Sequence, residues 1–175
     1  AFKLAQELNP ENPYYNNSLA YAYIKAELYD DAIEYYQLAI KLNPDAEWTS
    51  IVCHALGAIY AEIKNNFEAA EATFNAGIVL DPNNVDIQLS LGDLYMAQND
   101  LDRAIKTYCD AIAVEPENYL TYAKTGLALW EKDYLEESIV AFHKSIELNP
   151  NFEIAQNNLG VVYLDGIGDP KESVE

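Results

Sequence analysis

Few residues of this chain have side chains that suit nucleophilic catalysis, proton transfer or metal binding. Its 175 residues include two histidines, His54 and His143, which are about 89 residues apart, and two cysteines, Cys53 and Cys109. Neither cysteine has a CxxC partner or a histidine at the spacing of a metal site. Carboxylates are abundant but scattered, so no cluster converges on one point. We therefore predict a protein without enzymatic activity, metal or other cofactor.

The most informative feature is a motif that recurs about every 34 residues. Three of the four intervals between its prolines equal 34 residues, and the fourth equals 38. A period of this length is typical of solenoids, in which each unit buries its apolar face only against its neighbours. The prolines that mark the period are Pro10, Pro44, Pro82, Pro116 and Pro150.

Between the prolines, a Leu-Gly pair, an aromatic residue, a small residue, a second aromatic residue and a second small residue recur at fixed offsets. Spacings of three and four place these residues on one helical face, where small side chains let two helices approach closely. Each proline ends a helix, and the middle of each unit carries turn and capping residues. One full set is Leu91-Gly92, Tyr95, Ala104, Tyr108 and Ala111, followed by Pro116.

This pattern resembles the tetratricopeptide repeat along essentially the whole chain. The resemblance implies an all-α fold, a right-handed superhelical solenoid of antiparallel helix pairs in one domain over 1–175. We expect full repeats at 13–46, 47–84, 85–118 and 119–152, after the end of a repeat at 1–12 and before a partial repeat at 153–175. The glycines from Gly160 to Gly168 are similar to the Sel1-like variant of these repeats.

Composition limits the partners. The net charge of −19 argues against direct nucleic-acid binding and favours partners with basic flanks, although an acidic coat also keeps an apolar solenoid soluble. No apolar stretch approaches membrane-spanning length, so direct membrane insertion is not expected. The two unpaired cysteines fit a reducing compartment, and among compartments we favour the cytoplasm.

The resemblance also implies a binding groove lined by the first helix of each repeat. Carried over by position, its lining is unusually apolar, which suits apolar anchors of a bound peptide or helix. Packing of some of these residues against neighbouring helices is the alternative, evenly balanced for Leu89 and Leu127. The wider lining includes Ile51, Leu120 and Ile154. The candidate groove residues are Tyr14, Asn17, Tyr21, Ile24, His54, Leu89, Asp93, Met96, Lys124, Leu127, Trp130, Asn158, Val161 and Leu164.

Two further interpretations stay open. The chain could self-associate through open repeat ends, or recruit substrates for a larger enzyme. The family's chaperone-tail receptors hold a carboxylate with cations, whereas the matching positions here include Tyr21, Ala55 and Asp86, so that use is disfavoured. Four extra residues lie between Pro44 and Pro82. We expect an added helical turn there, with Trp48 covering the repeat junction.

Overall fold

The computed structural model describes residues 9–42 and 45–166, and this part of the chain is helical without a strand. It forms two compact units, divided between Leu94 and Tyr95. The starting residues 1–8, Pro44 and the Sel1-like segment after Gly166 lie outside the described residues. The helices are α1 (Pro13–Lys25), α2 (Tyr29–Leu42), α3 (Ala46–Ala58), α4 (Phe67–Leu80), α5 (Val85–Ala97), α6 (Leu101–Val114), α7 (Tyr119–Glu131), α8 (Leu135–Leu148) and α9 (Glu153–Gly166).

Helix pairs form because short polar turns reverse the chain at the middle of each repeat. At these turns a residue that is not glycine adopts the left-handed conformation, which ends the preceding helix. In the first repeat, Leu28 N donates to Tyr23 O and Glu27 N donates to Ile24 O, as in a Schellman motif. The left-handed residues are Glu27, Asn65, Asn99 and Asp133, with φ between 49° and 64°.

Side-chain oxygens of Asn and Asp cap the N-termini of most helices, as the capping residues in the sequence predict. Asn12 Oδ1 accepts from Tyr14 N at 2.9 Å, Asn66 Oδ1 from Ala69 N at 3.1 Å, and Asp100 Oδ1 from Arg103 N at 3.1 Å. No side chain caps α8, where Tyr134 stands at the same position. Local sequence thus sets the helix boundaries, and packing decides how the helices meet.

In the first unit, the recurring small and aromatic residues form a core between α1, α2 and α3. Ala20, Ala32, Tyr36 and Ala39 are buried together with residues of α3. Helices α3 and α4 approach closely because a glycine lies at their contact. A Cβ on Gly57 would lie 2.4 Å from the Phe74 ring, so only glycine fits there.

The longer second repeat is accommodated in two places. Helix α3 begins with an additional turn, on which Trp48 meets Tyr14 edge-to-face with ring centroids 4.9 Å apart. The expected helical turn and junction contact are therefore both present. The helix then continues as a π-helical turn, Ile59–Ile63, where Lys64 N donates to Ile59 O five residues back. That turn absorbs one of the four extra residues between Pro44 and Pro82.

In the second unit, α7, α8 and α9 surround a second core. Phe142, Ala155 and Val162 are fully buried in it, beside Ala123 and Leu159. The small residues of α8 are serines here, and burial forces their hydroxyls to find partners. Ser138 Oγ donates to Gly126 O and Ser145 Oγ donates to Tyr119 O, both at 2.8 Å. Serine at the positions where other repeats carry alanine therefore preserves the close contact between α7 and α8.

Candidate functional site

Large apolar side chains are exposed on the first helices of the first unit. Tyr14 and Tyr21 on α1 expose 49% and 56% of their surface, and Ile51 on α3 exposes 55%. The Lys25 ammonium lies 5.1 Å from the centroid of the Tyr21 ring, which orients this tyrosine without burying it. Asn17 and Ile24 are half-buried, and Ile24 packs against the core. Tyrosine and isoleucine side chains are therefore exposed to solvent on α1 and α3.

A polar contact joins α3 and α5 within the same unit. His54 Nε2 lies 2.8 Å from Ser90 Oγ, and both side chains are half-buried. Burial lowers the pKa of His54, while the carboxylates of Asp86 and Glu62 oppose that shift. The imidazole is thus favoured in its neutral form at neutral pH, where it can share a hydrogen bond with the hydroxyl.

One candidate of the groove belongs to the core. Leu89 exposes only 6% of its surface, so a partner cannot reach it in this structure. Of the two alternatives left open for this residue, packing against neighbouring helices is the one observed. Asp93, near the end of α5, is exposed. We therefore remove Leu89 from the candidate surface and keep the other candidates of this unit.

In the second unit, the candidate residues fall into two groups. Leu127 and Trp130 on α7 are half-buried and pack against the core of α8 and α9. On α9, by contrast, Ile154, Val161 and Leu164 are exposed, and Leu164 exposes 72% of its surface. Exposed apolar residues therefore lie on α9 more than on α7. Half-buried candidates with polar or flexible side chains complete the set, namely Met96, Lys124 and Asn158.

The thiol of Cys53 is a further group with potential for chemistry. Cys53 is buried, and burial raises the pKa of its thiol to about 11, so the sulfur stays protonated at neutral pH. Among the described residues, no group of histidine, cysteine and carboxylate side chains could hold a metal ion. Within the same residues, no helix combines the length and apolar character needed to cross a membrane.

Models of one protein family match three ranges of this chain. Three family models, each described as a tetratricopeptide repeat, match residues 13–46, 58–119 and 120–152. The first of these ranges contains α1 and α2, and the last contains most of α7 together with α8. The middle range contains α4, α5 and α6.

Similar proteins include receptors, a complex member and a solved solenoid structure. The peroxisomal targeting signal receptor of Eremothecium gossypii is 37% identical over 101 residues, covering 58% of this chain and 17% of the receptor. The BBSome complex member BBS4 of Bos taurus is 36% identical over 97 residues, covering 55% and 18% respectively. The crystal structure of MamA superposes with a TM-score of 0.76 at 26% identity, covering 86% of this chain and 85% of MamA. The chain thus spans less than a fifth of either of the two sequence relatives.

Proposed function

This chain belongs to the tetratricopeptide repeat family, and on that premise we propose that it is a non-catalytic scaffold whose first helices bind a peptide or helical segment of a partner protein. The observation that carries the proposal is the set of exposed apolar side chains on α1, α3 and α9. Apolar surface that stays in contact with water is unfavourable, and binding a partner removes it from water. The relatives' names, a targeting-signal receptor and a complex member, support the same class of function.

Tyrosine is the best-suited anchor on this surface. Tyr21 combines a broad apolar ring with a hydroxyl, and the Lys25 ammonium lies 5.1 Å from the ring centroid. Rigid aromatic side chains lose little entropy on binding and are common among the residues that dominate interface energy. In the second unit, Leu164 and Val161 provide aliphatic contacts of the same kind.

Charge would select among partners. The chain carries a net charge of −19, and Asp86, Glu62 and Asp93 lie on or next to the helices that carry the exposed apolar residues. Such a surface attracts segments in which lysine or arginine flanks an apolar core, and it repels phosphate backbones. We therefore propose a partner segment with basic flanks and apolar anchors, whose affinity falls as salt rises.

A displayed library of random peptides tests this proposal and does not require the partner to be identified first. We expect peptides selected on the chain to be rich in basic and apolar residues. Their affinity should fall at least tenfold for the double variant Tyr21→Ala/Leu164→Asp, because truncating interface anchors typically costs more than 1 kcal/mol each. The exposed positions keep the variant folded, unlike substitution of the packed Leu127 or Trp130.

Val140→Asp is the matched control, since Val140 is 69% exposed on the second helix α8. Equal loss of binding in this control would refute recognition by the first helices. Self-association through the exposed apolar residues of α9 is the alternative. Light scattering measures it directly, and a dimer dissociated by Leu164→Asp alone would replace peptide binding with self-association.

A further inference from the structure

We propose that the first unit holds a second binding site, for a small amphipathic carboxylate, between its second helices α2 and α4. A shallow cavity of about 460 Å³, widely open to solvent, lies there, and its lining shares no residue with the surface proposed for partner binding. The volume falls within the range of ligand pockets, about 300–1,000 Å³. The lining residues are Gln37, Ile40, Lys41, Cys53, Leu56, Tyr60, Ala69, Ala72, Thr73 and Ala76.

The cavity exists because α4 carries alanine where the other second helices have larger side chains. Three lining residues of α4 are alanines, namely Ala69, Ala72 and Ala76. They stand five and two residues before the recurring aromatic residue, Phe74, and two residues after it. Two of these alanines are exposed, although polar residues dominate the surface of this chain. The equivalent residues are Asp31, Glu34 and Leu38 in α2, Arg103, Lys106 and Asp110 in α6, and Glu137, Val140 and Lys144 in α8.

The floor of the cavity is also specific to this repeat. Cys53 stands four residues before Gly57, where the other repeats carry the larger Asn16, Gln88, Tyr122 and Gln156. Its thiol lies beside Leu56 and is held in the protonated form because burial raises its pKa to about 11. The floor is therefore uncharged and apolar, as an alkyl chain or ring requires.

A single charged residue, Lys41, borders the cavity. Within the described part of the chain, Lys41 forms no ion pair, whereas most other cations do. The equivalent residues of the later repeats are Val79, Ala113 and Glu147, so the cation is specific to this junction. In a chain with net charge −19, such a cation beside an apolar cavity selects an anionic group.

Neutral hydrogen-bonding groups border the cavity as well. Gln37 Nε2 donates to Tyr60 Oη at 2.9 Å, and this contact joins α2 to the π-helical turn that follows α3. Tyr60 is brought to this position at the start of that turn, and π-helical turns are frequent at functional sites. Along α4, the lining from Ala69 to Ala76 is about 10 Å long. That length suits a chain of roughly eight carbons better than a partner helix.

Octanoate is a suitable probe. In titrations of the protein with alanine methyl groups labelled for NMR, we expect saturable shifts of the Ala69, Ala72 and Ala76 methyls. Lys41→Met should weaken octanoate binding about three- to fivefold, because an exposed ion pair contributes up to about 1 kcal/mol. The same variant should leave the binding of octanol unchanged, because octanol carries no charge. Ala76→Leu, which introduces the residue of α2 at this position, should abolish saturable binding by filling the cavity.

Ala113→Leu is the control, because it adds the same side chain to an exposed position of α6. The proposal is overturned if octanoate shifts none of the three alanine methyls, or if Ala76→Leu binds octanoate as well as Ala113→Leu. It is also overturned if octanol and octanoate respond equally to Lys41→Met, since the site would then not recognise the carboxylate. Loss of peptide binding in the Tyr21→Ala/Leu164→Asp variant does not affect these outcomes.

Discussion

Gln88 reaches back six residues along the chain, and its Nε2 donates a hydrogen bond to the carbonyl oxygen of Pro82 at 2.8 Å. This bond gives the Pro82 carbonyl oxygen a partner at the start of the repeat. Proline has no N–H, so it cannot donate a backbone hydrogen bond that would order the same segment. Other repeats have the same arrangement, with an amide six residues after the proline. Asn16 donates to Pro10 at 3.0 Å, and Gln156 donates to Pro150 at 2.6 Å.

Burial should decide how much this bond contributes. Gln88 is buried, so Gln88→Met leaves the Pro82 carbonyl without its partner and should lower the free energy of unfolding by about 1 kcal/mol. Gln156 is exposed and water can replace its amide, so Gln156→Met should change the unfolding free energy by less than about 0.5 kcal/mol. Urea denaturation measures both variants, and an equal effect would contradict the role of burial.

Two glycines should respond to alanine in opposite directions. A Cβ at Gly57 would lie 2.4 Å from the buried ring of Phe74, so Gly57→Ala should destabilise the protein by about 1–3 kcal/mol through overpacking. Gly160 has no atom within 4 Å of an added Cβ, so Gly160→Ala should stabilise α9 by about 0.5–1 kcal/mol. Thermal unfolding of the pair measures the difference, and stabilisation by Gly57→Ala would show that α3 and α4 separate easily.

His54 should make stability depend on pH. Its pKa is lowered from the ordinary value of 6.5, so below that value the unfolded chain takes up a proton that the folded chain resists. Stability from this group is complete above pH 6.5 and falls as the pH drops from there towards the lowered pKa. Between pH 7.5 and pH 5.5, the melting temperature of the His54→Gln variant should therefore fall less than that of the parent protein. Parallel losses would mean that the Ser90 contact does not depend on a neutral ring.

The π-helical turn offers a deletion test. Asn66 N donates to Tyr60 O six residues back, whereas Asp100 N donates to Tyr95 O five residues back. Deleting Glu62 should restore the shorter pattern, so the unfolding midpoint should stay the same or rise, because π-helical turns are rare for energetic reasons. Deleting Gln98 from the regular turn is the control and should lower the midpoint. A large loss from the Glu62 deletion would show that the π-helical turn is required for folding.

Much of the fold follows from local chemistry that is readable in the sequence. The repeat prolines end helices, and Asn12, Asn66 and Asp100 start them, because φ restrictions and capping bonds act over a few residues. The expected junction role of Trp48 is also confirmed by its contact with Tyr14. The candidate binding surface was less predictable. Its positions follow from helical periodicity, but periodicity does not tell which side chains neighbouring helices cover.

The repeat, the family, the helix pairs and the acidic character of this protein can be read from the sequence, because they depend on spacing, backbone restrictions and charge. The packing of the helices, in contrast, was needed to show that Leu89 is buried, that Leu127 and Trp130 pack against the core, and that Leu164 remains exposed. It also decided that three alanines and Cys53 border a cavity. The physical reason is that exposure and empty volume depend on the distances between helices, which side chains from several repeats set together.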